Sequence, residues 1–167
     1  MTDEARIHEL SRTLVDALTA AGKTVTTAES CTGGWIAKSI TDVPGSSAVF
    51  AYGVVSYSNG AKESLLGVES QTLVDNGAVS EAAVKAMAEG ALNLSGADFS
   101  VAVSGVAGPD GGSDEKPVGT VWFGWSIRSG DTLTTETGRQ HFDGDRDEVR
   151  AQAVVHAMRG IQDRLPL

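Results

Sequence analysis

Residues 24–42 read TVTTAESCTGGWIAKSITD. Thr24–Ala28 is a short, mostly β-branched run that suits a strand. Gly33–Asp42 has the make-up of a helix, which leaves Glu29–Thr32 at a strand-to-helix turn. Working outward, Ile7, Leu10, Leu14 and Leu18 fall at spacings of 3, 4 and 4, one apolar face of a helix over 4–22 that stops at Gly22. On the other side, Pro44-Gly45-Ser46-Ser47 is a loop and Phe50–Tyr57 (FAYGVVSY) reads as a strand. Asn59–Leu66 reads as a helix closed by Gly67, and 69–76 as a helical turn ending at Asn76-Gly77. Ser80 is a good N-cap for a helix over Glu81–Leu94, with Val84, Met87, Ala91 and Leu94 on one face. Phe99–Val103 is then a buried strand, Ser104–Pro117 a glycine-rich charged connection, and Val118–Ile127 an aromatic strand with Leu133–Phe142 as its hairpin partner. Asp145 with Glu148 three residues on opens a last helix, whose Ala151, Val154, Met158, Ile161 and Leu165 recur every 3 or 4 residues. Strands alternating with helices early and a hairpin late predict one three-layer α/β/α domain over 1–167, with a mixed, mostly parallel sheet.

Composition narrows the class. The chain has 167 residues, 13 Lys+Arg against 22 Asp+Glu, and a net charge of −9. Such a chain is repelled by phosphate backbones and anionic lipid, so general nucleic-acid or membrane-surface binding is not expected. Its longest apolar runs fall short of the roughly 20 residues of a bilayer span. The single cysteine, Cys31, has no internal disulfide partner, and the acidic, helical N-terminus does not look like a signal peptide, so a cytoplasmic protein is expected. Twenty glycines, about 12% against a usual 7%, follow no repeat and therefore point to loops with special backbone needs.

Metal chemistry has little support. There is no HExxH and no CxxC, and His8, His141 and His156 are scattered. Asp143-Gly144-Asp145-Arg146-Asp147 imitates the start of a calcium loop, but Glu148 stands where glycine is needed and Val154 where glutamate is. A Ser-His-Asp triad would rest on His141, which lies on a strand. Glu29–Gly34 is richer. It sets two nucleophiles, Ser30 and Cys31, ahead of a helix N-terminus whose free N–H groups suit an oxyanion. The plainer reading makes Ser30 or Thr32 an N-cap and the glycines a packing device. At Tyr57-Ser58-Asn59-Gly60-Ala61-Lys62 a strand end delivers a phenol and a first helical turn an ammonium. If desolvated, Lys62 becomes a neutral general base; if its head reaches water, it is an ordinary surface lysine. Arg146 and Arg150, four apart at a helix start, suit a phosphate or belong to a surface network with Asp145 and Asp147. Gly105–Gly112 has the glycine to bring amides against a ligand or to act as a mobile cover.

TAESCTGG (27–34), PGSS (44–47), Tyr57-Ser58-Asn59 with Ala61-Lys62, Gly77-Ala78-Val79-Ser80, SGVAGPDGGSDEKPVGTVW (104–122) and GDRDEVR (144–150) together resemble the C-terminal domain of the CinA competence/damage-inducible family, in its stand-alone form. The match spans nearly the whole chain, with no room for the molybdopterin-binding-like domain that longer members carry in front. The resemblance implies an amidohydrolase of the pyridine-nucleotide cycle that converts nicotinamide mononucleotide (NMN) to nicotinate mononucleotide and ammonia, without a cofactor. Placed residue by residue, it implies Ser30 as nucleophile, Lys62 as its base and Tyr57 assisting the relay. It also implies a substrate pocket from Cys31, Thr32, Gly33, Gly34, Ser104, Gly105, Gly108 and Arg146. An acidic protein that takes a phosphorylated substrate needs a local positive pocket.

Two rivals stand beside this reading: a non-catalytic domain that binds a nucleotide or protein in a competence or DNA-damage response, and a Ser-Lys hydrolase of another amide. Trp122, Phe123 and Trp125 place aromatics on both faces of one strand. Either one face is an interface or both are covered by helices, and a homo-oligomer, a dimer by preference, is expected.

Overall fold

A computed structural model describes residues 1–165. Its elements run α1 (Asp3–Ala21), β1 (Val25–Glu29), α2 (Trp35–Thr41), a 3-10 turn (Ser46–Ala48), β2 (Val54–Val55), α3 (Asn59–Leu66), α4 (Ser70–Asn76), α5 (Glu81–Ser95), β3 (Phe99–Gly105), β4 (Thr120–Ser129), β5 (Thr132–His141) and α6 (Arg146–Arg164). The strands form one sheet in the order β2-β1-β3-β4-β5. β1 pairs in parallel with β2 and β3, whereas β3–β4 and β4–β5 are antiparallel. The sheet is therefore mixed, as expected, but not mostly parallel, because the two antiparallel ladders are the long ones. The hairpin supplies them, and its ten-residue strands outlast the buried crossover strands.

α1, α2 and α6 cover one face of the sheet and α3, α4 and α5 the other. Every residue of β1 is buried, which requires a cover on both faces. The first core packs Leu14, Leu18, Ile36, Ile40, Val101, Phe123, Trp125, Val154 and Met158 between the sheet and α1, α2 and α6. The second packs Leu66, Val84, Met87, Ala88 and Ala102 beneath α5. Trp125 sits so close to Gly160 that any side chain there would overlap its ring, and its indole N–H donates to the Ala157 carbonyl at 3.1 Å. Of the aromatics of β4, Phe123 and Trp125 are buried under α6, and Trp122, partly buried, packs on the α5 side beneath Arg139.

Helix ends follow the local chemistry. Gly22, Gly67 and Gly96 close α1, α3 and α5 in left-handed conformation. Ser58 and Ser80 cap α3 and α5, and Asp145 with Glu148 forms the expected capping box on α6. The strand expected over 50–57 shrinks to Val54–Val55, with only an isolated bridge at Phe50. Between them the Tyr52 carbonyl accepts from the Thr26 hydroxyl at 2.8 Å, which takes that carbonyl out of a strand ladder. No described helix is long and apolar enough to cross a membrane.

Candidate active site

The chain leaves β1 for β2 on one side and later returns to β3 on the other, so strand order reverses at β1. Open α/β sheets bind ligands outside the carboxyl ends of their strands at such a point. Here a cleft of about 340 Å³ lies there, walled by Ser30 and Cys31 after β1, Tyr57 and Asn59 after β2, Ser104–Gly108 at the end of β3, and Lys62 and Arg146 from the first turns of α3 and α6.

Lys62 is 1% exposed. Its Nζ lies 2.9 Å from Ser30 Oγ, 2.8 Å from the Ser56 carbonyl and 3.2 Å from the Tyr57 carbonyl. Burial drives its pKa below the ordinary 10.5. An ammonium would donate along all three directions. A neutral amine has two N–H bonds and one lone pair, so when the carbonyls take the two N–H groups the lone pair is left for the Ser30 hydroxyl. Ser30 itself is held by its N–H, which donates to the Val103 carbonyl at 3.0 Å and continues the β1–β3 ladder one residue past the strand.

Glu29, fully buried, was not singled out in the sequence. Its carboxylate accepts from the Thr32 hydroxyl and from the N–H groups of Ile36 and Ala37 at 2.6, 2.9 and 3.0 Å. Burial raises its pKa against the pull of those hydrogen bonds. The consequence corrects the expected oxyanion site: the free amides at the start of α2 are spent on Glu29. Next to Ser30, the amides of Cys31 and Gly105 lie against the Cys31 sulfur instead. Gly105 is required there, since a Cβ would come within 2.8 Å of the Thr120 carbonyl and 2.7 Å of Val121.

The structure separates the other expected residues. Cys31 faces the cleft, but burial pushes its thiol up to about 11, away from a thiolate. Ser104, Gly105, Gly108 and Arg146 line the cleft. Thr32, Gly33 and Gly34 do not: they wall a separate groove of about 980 Å³ with the N-terminal turns of α1 and α6, which holds none of the candidate nucleophiles. Arg150 lies in that wall too. Its guanidinium donates to the Cys31 and Thr32 carbonyls at 3.0 and 3.3 Å and so braces the nucleophile turn from behind, with no link to Asp145 or Asp147. Arg146 donates to the Gly108 carbonyl at 2.7 Å and to the Tyr57 phenol at 3.4 Å. Tyr57, 64% exposed, therefore meets Lys62 through its main-chain carbonyl, while its phenol faces Arg146. Asn59 and Asp110 also line the cleft and were missed. His141 bonds the Val118 carbonyl on β5, outside the cleft, and among the described residues no three His, Cys, Asp or Glu side chains are grouped to hold a metal.

Comparison with known proteins adds independent information. Residues 7–165 match the CinA C-terminal domain. The nicotinamide-nucleotide amidohydrolase PncC of Escherichia coli K12 is 55% identical over 158 residues, covering 95% of this chain and 93% of that one. The protein of the same name from Pseudomonas putida is 57% identical over 82% of this chain and 83% of its own. A crystal structure of the competence damage-inducible protein A from Klebsiella pneumoniae superposes with a TM-score of 0.90 at 45% identity, covering 95% of this chain and 96% of that one.

Proposed function

The chain belongs to the CinA C-terminal domain family, and from that premise we propose that it is an amidohydrolase that cleaves the carboxamide of NMN to nicotinate mononucleotide and ammonia, with Ser30 as nucleophile and Lys62 as base. The observation that carries this reading is the 2.9 Å approach of Lys62 Nζ to Ser30 Oγ inside a cleft that Arg146 also enters. The naming of relatives at 55–58% identity as nicotinamide-nucleotide amidohydrolases supports the substrate.

A carboxamide is a weak electrophile with a poor leaving group. It needs an activated hydroxyl, a site for the oxyanion and a proton for the departing nitrogen. Neutral Lys62 removes the Ser30 proton as Oγ attacks the amide carbon. The carbonyl oxygen gains the negative charge, for which the amides of Cys31 and Gly105, beside Ser30 in the cleft wall, are the candidate donors. Lys62, now an ammonium with three acceptors around it, hands the proton to the nitrogen as the C–N bond breaks and ammonia leaves. Water then gives a proton to Lys62 and adds to the Ser30 ester, and collapse returns the proton to Ser30 and releases the carboxylate. Tyr57 serves the relay through the carbonyl that orients Lys62, and its phenol is left to the substrate side. Arg146 exchanges its neutral partners, the Gly108 carbonyl and the Tyr57 phenol, for the phosphate, a stronger acceptor.

The direct test is ammonia release from NMN by the purified protein, with nicotinamide and simple amides in parallel. Release from NMN alone supports the reading. Release from simple amides but not NMN would assign the same dyad to another substrate, and no release from any of them would remove the hydrolase.

A further inference from the structure

The cleft wall is poor in charge although the chain is not. Apart from the dyad lysine, two charged side chains line it, Asp110 and Arg146, and of the 22 Asp and Glu residues in the chain Asp110 is the one found there. The two have opposite sign and belong to touching segments: Arg146 donates to the Gly108 carbonyl at 2.7 Å, just ahead of Asp110 in the chain. Yet among the described residues Asp110, which is exposed, enters no ion pair with Arg146 or with any other cation. Its loop is fastened from several sides. The Val106 N–H donates to the Thr120 carbonyl at 2.8 Å and the Gly119 N–H to the Val106 carbonyl at 2.7 Å. Lys116 Nζ donates to the Asn76 carbonyl at 2.6 Å, and a Cβ on Gly112 would come within 2.8 Å of the Val118 nitrogen. A charge fixed in a cleft wall without a partner from the protein makes an electrostatic demand on whatever binds there.

We propose that Asp110 is a specificity-determining residue of this cleft, the counter-ion that favours amides whose ring carries a fixed positive charge. The inference rests on the proposed hydrolysis of NMN and deepens it. In that reaction the amide carbon must reach Ser30 Oγ and the phosphate must reach Arg146, which leaves the ring and the ribose to the rest of the wall, where Asp110 stands. A carboxylate there penalises a ligand that brings only a phosphate, because like charges repel, and the penalty is offset when the ligand brings a cation as well. NMN brings both: its phosphate is an anion, and its ring nitrogen, bonded to the ribose, is a permanent cation. Nicotinamide has neither charge. Once hydrolysis has turned the amide into a carboxylate, the ring and its substituent cancel in charge, so Asp110 attracts the product less than the substrate.

The test is calorimetric binding of two ligands, NMN and its 1,4-dihydro form, which keeps the carboxamide, ribose and phosphate but has an uncharged ring. The protein is the full chain carrying Ser30→Ala, so that turnover does not disturb the heats. Adding Asp110→Asn should weaken NMN about three- to fivefold, the worth of one partly exposed ion pair, and leave the dihydro form unchanged. Asp110→Glu should keep most of the preference for NMN. Asp114→Asn, which removes a charge from an exposed part of the same loop outside the cleft, should change neither affinity. Equal weakening of both ligands by Asp110→Asn would give the residue a ribose or folding role and overturn the proposal. An unchanged NMN affinity, or a like effect of Asp114→Asn, overturns it too. Ammonia release from NMN by the chain with Ser30 intact is read alongside. Its absence defeats the hydrolase reading, while the two affinities still judge Asp110 by themselves.

Discussion

Lys62 Nζ and Ser30 Oγ stand 2.9 Å apart although 32 residues separate them in the chain, and Lys62 is among the largest fully buried side chains of the described residues. A buried lysine without a carboxylate partner is expensive as a cation. Its remaining contacts are carbonyls and a hydroxyl, which a neutral amine satisfies as well. Ser30→Ala and Lys62→Met should therefore each lower the rate of ammonia release from NMN by about a thousandfold or more, since dyad members act as a unit. Cys31→Ser should change it less than about tenfold, because the thiol is held protonated.

The pH profile should separate Lys62 from other bases. Its lowered pKa places the acid limb of kcat/KM below the range where an ordinary lysine titrates near 10.5, so activity rises with pH through that lowered value and then levels off. The same shift affects stability. Between the folded-state pKa and 10.5 the unfolded chain binds a proton that the native state refuses, so this group makes stability rise with pH across that window. Urea unfolding at several pH values should show that slope in the wild type and its loss in Lys62→Met.

Arg146→Ala should raise KM for NMN about ten- to a hundredfold, the worth of one charge-assisted hydrogen bond, with a smaller change in kcat. Nicotinamide, which lacks the phosphate, should be handled alike by both proteins. Equal effects on the two substrates would remove the phosphate role.

Glu29→Ala should cost about 2 kcal/mol or more in urea unfolding, because it leaves the amides of Ile36 and Ala37 and the Thr32 hydroxyl unpaired in a buried place. The turn that presents Ser30 is built on those bonds, so activity should fall with stability.

His156 packs its ring against Phe123, Trp125 and Phe142, and burial, with help from Arg164 and Arg159, lowers its pKa from 6.5. The native state resists a proton that the unfolded chain accepts. Stability should therefore drop as pH falls from 6.5 through the folded-state pKa, and His156→Phe should flatten that part of the curve.

Periodicity and end signals located the long helices α1, α5 and α6, because an apolar face and a capping residue are local properties. β2 was overdrawn, since FAYGVVSY has strand composition throughout, whereas the hold of Thr26 on the Tyr52 carbonyl is a long-range event. The same distinction governs the site. Ser30, Lys62 and Arg146 stood out by residue type and position at element ends, but whether Lys62 is buried depends on carbonyls and a hydroxyl brought together by the β1–β2 pairing. The family resemblance implied Thr32, Gly33 and Gly34 as part of the pocket. The turn carries them to the α1 side, where Arg150 fastens them. Glu29 escaped notice because a charged residue inside a buried strand gives no signal until the amides it caps are seen in space.

Ser30 directly follows β1, an inner strand paired on both sides, but both carbonyls that aim the Lys62 amine belong to Ser56 and Tyr57, just past the shortest strand at the rim of the sheet. The register of the dyad is set by two residue pairs, Ala28 with Val54 and Glu29 with Val55, and by one further bond from the Ser56 N–H to the Glu29 carbonyl. Rims of sheets fray at lower cost than centres. Loss of catalysis and loss of fold should thus be two different melting events in this molecule, with ammonia release lost at a lower temperature or denaturant concentration than the circular dichroism of the core.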